Sequence, residues 1–143
     1  MISKNKPKDF KEKFEVVSCF IECQSQILLL HRQDSKPQGD TWGMPAGKAN
    51  DGEDLKNALA REIMEELGFS IDTNAVGYFD KFFVHHDNYD FVYHIFYLNL
   101  ETKPRFIINP VEHKDATWKT PTEALMLNLV PDEDYCIKAF YRL

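Results

Sequence analysis

Between residues 15 and 23 apolar side chains occupy both alternating faces of the chain, and residues 26–32 repeat the pattern. Strands that are apolar on both faces are strands covered on both sides. Gln24 and Ser25 separate the two runs and place a tight hairpin there, although neither glycine nor asparagine marks the turn. Residues 34–40, with Pro37 and Gly39, read as a loop. A different period governs the next segment. Leu59, Ile63 and Leu67 recur at a four-residue step, the core stripe of a helix expected to start near Gly52 or Glu53 and to stop at Gly68. Strands are expected again at 75–84 and 91–100, joined by the polar turn 85–90, with short extended pieces at 106–108 and 116–118. Thr120-Pro121 has the form of an N-cap followed by proline at the first helical position, opening a short helix through Leu127. A last helix from Pro131-Asp132 should bury Tyr135, Ile137, Phe140 or their neighbours. Strand runs with one central and one or two terminal helices make the fold class α/β, with a mixed β-sheet between helices.

At 143 residues the chain is one domain by length, and its 43% hydrophobic content supports a packed core. Residues 1–13 stand apart. Lys4, Lys6, Lys8, Lys11 and Lys13 fall there with little apolar content, so 1–13 is expected to be a polar, partly flexible segment ahead of a domain at 14–143. A phosphate-attracting arm is the alternative reading of those lysines. The net charge of −6 argues against a general nucleic-acid binder, so nucleic acid is not expected as a partner. It leaves a nucleotide substrate open, because bound divalent ions can reverse the local field.

Three cysteines are too few for a disulfide framework, and Cys19 and Cys23, four residues apart in a strand, would lie ~13 Å apart. Reduced thiols in a cytoplasmic protein are the expectation. No apolar run approaches the ~18 residues of a membrane span, so no membrane partner is expected.

Candidate chemistry concentrates in residues 47–69. Four carboxylates, Glu53, Glu62, Glu65 and Glu66, surround Arg61, with Gly47 and Gly68 near the two ends. On a helix Glu62, Glu65 and Glu66 fall within a sector of about 100°. Like charges at this spacing repel by roughly 0.2–0.5 kcal/mol per pair. A cation relieves that repulsion, and hard oxygen ligands grouped this way suit Mg²⁺ or Mn²⁺. Glu62 and Glu66 also border the Leu55–Leu59 direction, which sets them at the edge of the core, in a cleft.

The spacing Gly47, Glu53, Arg61-Glu62, Ile63, Glu65-Glu66, Gly68, Phe69 resembles the Nudix box at every defined position, and Trp42-Gly43-Met44-Pro45-Ala46-Gly47 resembles the lead-in common in that family. The resemblance implies a Nudix α/β/α sandwich and a metal-dependent hydrolase that cuts the pyrophosphate linkage of a nucleoside diphosphate joined to another group. A (deoxy)nucleoside triphosphate is the leading substrate class. ADP-ribose, nucleotide sugars, dinucleoside polyphosphates and capped RNA ends are the alternatives, as is a non-catalytic nucleotide-binding module. The absence of proline from residues 70–87 counts against ADP-ribose.

By the same resemblance Glu62, Glu65, Glu66 and the Gly47 carbonyl hold Mg²⁺ (or Mn²⁺), while Arg61 and Glu53 orient the carboxylates. The general base is Glu62 or Glu112, and Glu112 is the further acidic residue that many members place after the strands. Among residues that could meet substrate, Arg32 and Lys48, with His31 behind them, are read for phosphate. Trp42, Phe79, Phe83, Tyr89 and Tyr93 are read for stacking on a base. His85, His86 and Asp87 read as surface or substrate-contacting loop residues rather than a metal site. Dimers are common in the family, and a homodimer is the assembly the resemblance allows.

Overall fold

The computed structural model describes residues 1–143. Its strands are β1 (Ile2–Ser3), β2 (Glu12–Cys23), β3 (Gln26–Arg32), β4 (Trp42–Gly43), β5 (Ala46–Lys48), β6 (Gly77–His85), β7 (Asp90–Leu100) and β8 (His113–Lys119). The helices are α1 (Leu55–Leu67), α2 (Pro121–Ala124) and α3 (Glu133–Tyr141), with a 3-10 turn at Thr73–Ala75. All eight strands join one sheet in the order β1-β6-β7-β2-β3-β4, with β5 on β2 and β8 on β3. The sheet is mixed. Strands β2 and β7 run parallel from Glu12↔Asp90 to Cys23↔Leu100, and every other pair is antiparallel.

The doubly apolar pattern of β2 and β3 has its cause in two core clusters. On one face Val17, Cys19, Ile21, Leu28 and Leu30 meet Leu59, Ile63 and Leu67 of α1. On the other Phe20, Ile27 and Leu29 meet Ala124 of α2 and Cys136 and Ile137 of α3. Helices on both faces make the α/β/α sandwich. The hairpin between β2 and β3 turns through Gln24 and Ser25, with φ of 52° and 63°. Two consecutive left-handed residues form the turn whose twist matches paired strands, here without the usual glycine.

Four expectations need correction. Helix α1 begins at Leu55, later than Gly52 or Glu53, because Asp54 is its N-cap and accepts the Asn57 N–H at 3.1 Å. Residues 106–108 are not a strand. Instead Ile107 N–H donates to the Leu67 carbonyl at 3.0 Å and Asn109 N–H to the Glu66 carbonyl at 3.1 Å, satisfying the open end of α1. Helix α2 ends at Ala124 rather than Leu127, held at its start by a capping box between Thr120 and Glu123. Tyr135 is 39% exposed, since the buried stripe of α3 runs through Glu133, Cys136 and Ile137.

The lysine-bearing residues 1–13 lie against the sheet. Ile2 and Ser3 pair with Val84 and Phe83, Phe10 is buried in edge contact with Phe83, and β2 already starts at Glu12. No helix is long and apolar enough to cross a membrane.

Candidate active site

Since α1 starts after Asp54, Glu53 lies outside the helix and turns back over it. Arg61 grips it with two parallel bonds, Nε to Oε2 and Nη2 to Oε1, each 3.0 Å, while Asn50 N–H donates to Oε1 at 2.9 Å. The same guanidinium donates to Glu62 Oε1 at 2.9 Å, to Glu65 Oε1 at 3.2 Å and to the Lys48 carbonyl at 2.9 Å. One planar cation therefore sets the positions of three carboxylates and ties α1 to β5. These bonds hold Glu53 below the usual carboxylate range and push Arg61 up.

Glu66 sits differently. It is 7% exposed, Oε1 accepts the Ala46 N–H at 3.1 Å, and Oε2 lies 3.7 Å from His113 Nδ1. Burial pushes the Glu66 carboxyl well above its ordinary value, and the neighbouring Glu62 charge adds to the shift. Glu62 is also raised by burial, against the pull of Arg61. His113 supplies no countercharge: burial, with Arg32 nearby, pushes its imidazole down to about 4, so it is neutral at pH 7. Its Nδ1 is a buried polar atom without a hydrogen-bond partner.

Gly47 completes the arrangement. A Cβ there would overlap the Glu62 carboxylate, so only glycine lets β5 approach α1 this closely. The glutamates are not drawn to a common point, as Glu62 faces Arg61 and Glu66 faces Ala46, and no three His, Cys, Asp or Glu side chains converge. The residues nonetheless fit a divalent cation. Hard oxygens predominate, the buried Glu66 carboxylate lacks a paired countercharge, and the strand beside it is pared to glycine.

A cavity of about 440 Å³ opens beside this cluster. Of the residues expected to bind metal or substrate, Gly47, Glu66, Arg32, Lys48, Tyr89 and Tyr93 line it. Arg32 is oriented by its Nε bond to the Pro37 carbonyl at 2.8 Å, and Lys48 Nζ lies 4.2 Å from the Phe14 ring centroid. Other expected residues lie elsewhere. Trp42 stacks on His31 at 4.2 Å, Phe83 packs against Phe10, and Phe79 packs against Phe140, all away from the cavity wall. Glu112 is 40% exposed and pairs with Lys36 at 3.4 Å. His85 is bound to Asp90, while His86 stacks on Phe91 at the cavity.

Sequence reasoning missed two residues that the cavity contains. His113, next to Glu112, is the member of that pair aimed at Glu66. Glu133 was hidden in an acidic run at a helix start. Its signal was its place on the stripe 133-136-137, in register with the buried Cys136 and Ile137.

The α/β/α sandwich and the carboxylate cluster along α1 define the class, a pyrophosphohydrolase of mixed α/β fold. The chain belongs to the NUDIX family, whose domain matches residues 13–140. Over 131 residues, 90% of this chain and 92% of the relative, it is 31% identical to the CTP pyrophosphohydrolase of Escherichia coli (strain K12). Its fold matches the solution structure of the E. coli ORF135 protein with a TM-score of 0.77 and 27% identity, covering 97% of this chain and 95% of that one. The NUDIX domain of Shewanella oneidensis NrtR, solved with ADP ribose, shares the fold at a TM-score of 0.77 and 18% identity, over 96% and 93% of the two chains.

Proposed function

We propose that this protein is a divalent-metal-dependent nucleoside triphosphate pyrophosphohydrolase, using Mg²⁺ in the cytoplasm. Water breaks a P–O bond of the phosphoanhydride bridge joining the α and β phosphates, its OH and H going to the two fragments, so that a nucleoside monophosphate and pyrophosphate are released. The observation that carries the reading is Glu66: a buried carboxylate without a countercharge, opening on a cavity that also presents Arg32 and Lys48. The likeness to a CTP pyrophosphohydrolase over nearly the whole length supports a triphosphate substrate. Three free, buried cysteines suit a reducing compartment.

Glu62, Glu66 and the Gly47 carbonyl would hold the metal ion, with Glu65 within reach of it. Once bound, the ion neutralises phosphate charge and favours attack by water. Arg61 and Glu53 keep the glutamates oriented, and Arg32 and Lys48 pair with phosphate oxygens. Glu62 suits proton removal from water better than Glu112, since burial raises its affinity for a proton whereas Glu112 lies exposed beside Lys36.

The test is a panel of triphosphates, ADP-ribose, nucleotide sugars and dinucleoside polyphosphates incubated with Mg²⁺, with products identified. Glu66→Gln should lower turnover of the best substrate by at least about a hundredfold while its circular dichroism stays unchanged. Equal, near-background rates for wild type and Glu66→Gln across the panel would defeat the enzyme reading.

A further inference from the structure

The turn at residues 109–113 meets Glu66 twice. Asn109 N–H donates to the Glu66 carbonyl at 3.1 Å, and the Asn109 carbonyl in turn accepts the His113 N–H at 2.9 Å. One tight turn of chain thus carries the His113 imidazole from the backbone of Glu66 round to its carboxylate. His113 has little freedom there. It opens β8 in register with Arg32, its carbonyl accepts from Gln33 Nε2 at 3.3 Å, and it is 4% exposed.

At the end of this turn two polar atoms face each other, and neither has a partner. His113 Nδ1 is the one buried side-chain nitrogen or oxygen in the chain that makes no hydrogen bond. Glu66 Oε2, 3.7 Å away, makes none either, because the Ala46 N–H is given to Oε1. The gap is about 1 Å longer than a hydrogen bond. A neutral imidazole has one N–H and one bare nitrogen. A bare Nδ1 would set its lone pair against a carboxylate oxygen in a buried place, where repulsion is least screened. An N–H there turns the same contact into attraction. Glu66 also needs an orienting partner of its own. Arg61 bonds Glu53, Glu62 and Glu65 and makes no bond to Glu66.

Resting on the metal-dependent reading above, we propose that His113 is a positioning residue for Glu66: its Nδ1–H donates to Oε2 and fixes the carboxylate that meets the divalent cation. A small rotation of the carboxylate closes the gap. Ala46 then holds one oxygen and His113 the other, and each oxygen keeps a lone pair for the ion. The proton on Nδ1 leaves Nε2 as an acceptor, the reverse of the tautomer that histidine favours in water. His113 acts through Glu66, as a neutral donor that adds no charge to the site. Arg61 does the same work for Glu62 and Glu65 with a cation.

The test has two arms, and neither depends on turnover. The first is a long-range ¹H–¹⁵N spectrum of ¹⁵N-labelled wild type with Mg²⁺ at neutral pH, His113 being assigned by the signal that His113→Asn loses. Nδ1 should show the shift of a protonated ring nitrogen and Nε2 that of a bare one. The opposite tautomer, or exchange between the two, overturns the proposal. The second arm measures Mn²⁺ binding by electron paramagnetic resonance. His113→Leu, which fills the space without a donor, should bind at least about tenfold more weakly than wild type. His113→Asn, whose side-chain N–H can stand where Nδ1–H does, should recover binding to within about threefold. A packing role would give the reverse order, since leucine fills the site better than asparagine. A folded His113→Leu that binds like wild type, or an asparagine variant as weak as the leucine one, overturns the proposal. If His113→Leu misfolds, the tautomer of wild type decides. Absence of Mn²⁺ binding by wild type would sink the metal site itself, whereas tight binding that ignores residue 113 would sink the His113 assignment alone.

Discussion

At the scale of the residue, two glutamates carry the molecule's character, and both are held where their charge is unfavourable. For Glu133 this has a measurable consequence for stability. Burial raises its carboxyl in the fold to about 7, well above its value in an unfolded chain. Between roughly pH 4.5 and 7 the folded state therefore binds more protons than the unfolded one, and stability falls as pH rises through that window. The contribution is fully present below about 4.5 and gone above about 7. Other groups, raised like Glu62 and Glu66 or lowered like Glu53, add slopes of their own. The difference between wild type and Glu133→Gln isolates this one. Urea unfolding across pH 4.5–8 should show wild type losing on the order of 3 kcal/mol relative to the variant. Parallel pH profiles would contradict the assignment.

Elements were legible where their pattern was local. The helix stripe of α1, the doubly apolar β2 and β3 and the Thr120-Pro121 start could all be read from neighbouring residues. What escaped depended on distant partners. The extended piece expected at 106–108 has no strand partner; residues 107 and 109 serve the carbonyls of Leu67 and Glu66, about forty residues earlier. Aromatic roles escaped for the same reason, as Trp42 was claimed by His31 and Phe83 by Phe10. The Glu53-to-Glu66 cluster was legible because one helix and its lead-in hold all of it. His113 and Glu133 enter from other elements. Helix α1 itself ends at Gly68 with φ 73°, its N–H bonded to the Met64 carbonyl at 2.9 Å. A Cβ at Gly68 would meet only the Ile107 carbonyl at 3.9 Å, so Gly68→Ala isolates the backbone cost of a left-handed residue. It should destabilise by about 1 kcal/mol and lower Tm by about 3 °C with little effect on activity. A scan showing no shift would mean the helix end relaxes freely.

At the scale of the whole molecule the sandwich has its carboxylate cluster on one covering helix and the buried Glu133 on another, with the sheet between them. Binding at the cluster should therefore be felt by the entire cooperative unit. A divalent cation that engages Glu62 and Glu66 in the folded state alone stabilises it by mass action, about 2.7 kcal/mol at a hundred times Kd. Scanning calorimetry should show Mg²⁺ raising Tm for wild type and failing to do so for Glu66→Gln. An equal rise in both would place the ion elsewhere.

The parallel pairing of β2 with β7 also governs how the chain acquires this form. Residues 12–23 lie beside residues 90–100, so the backbone of the sheet's centre closes a loop of more than seventy residues. Local hairpins can assemble as the polypeptide emerges from the ribosome, but this seam waits until about a hundred residues have been made. Until then one long edge of β2, apolar on both sides, is bare. The nascent chain is most exposed to aggregation in that interval.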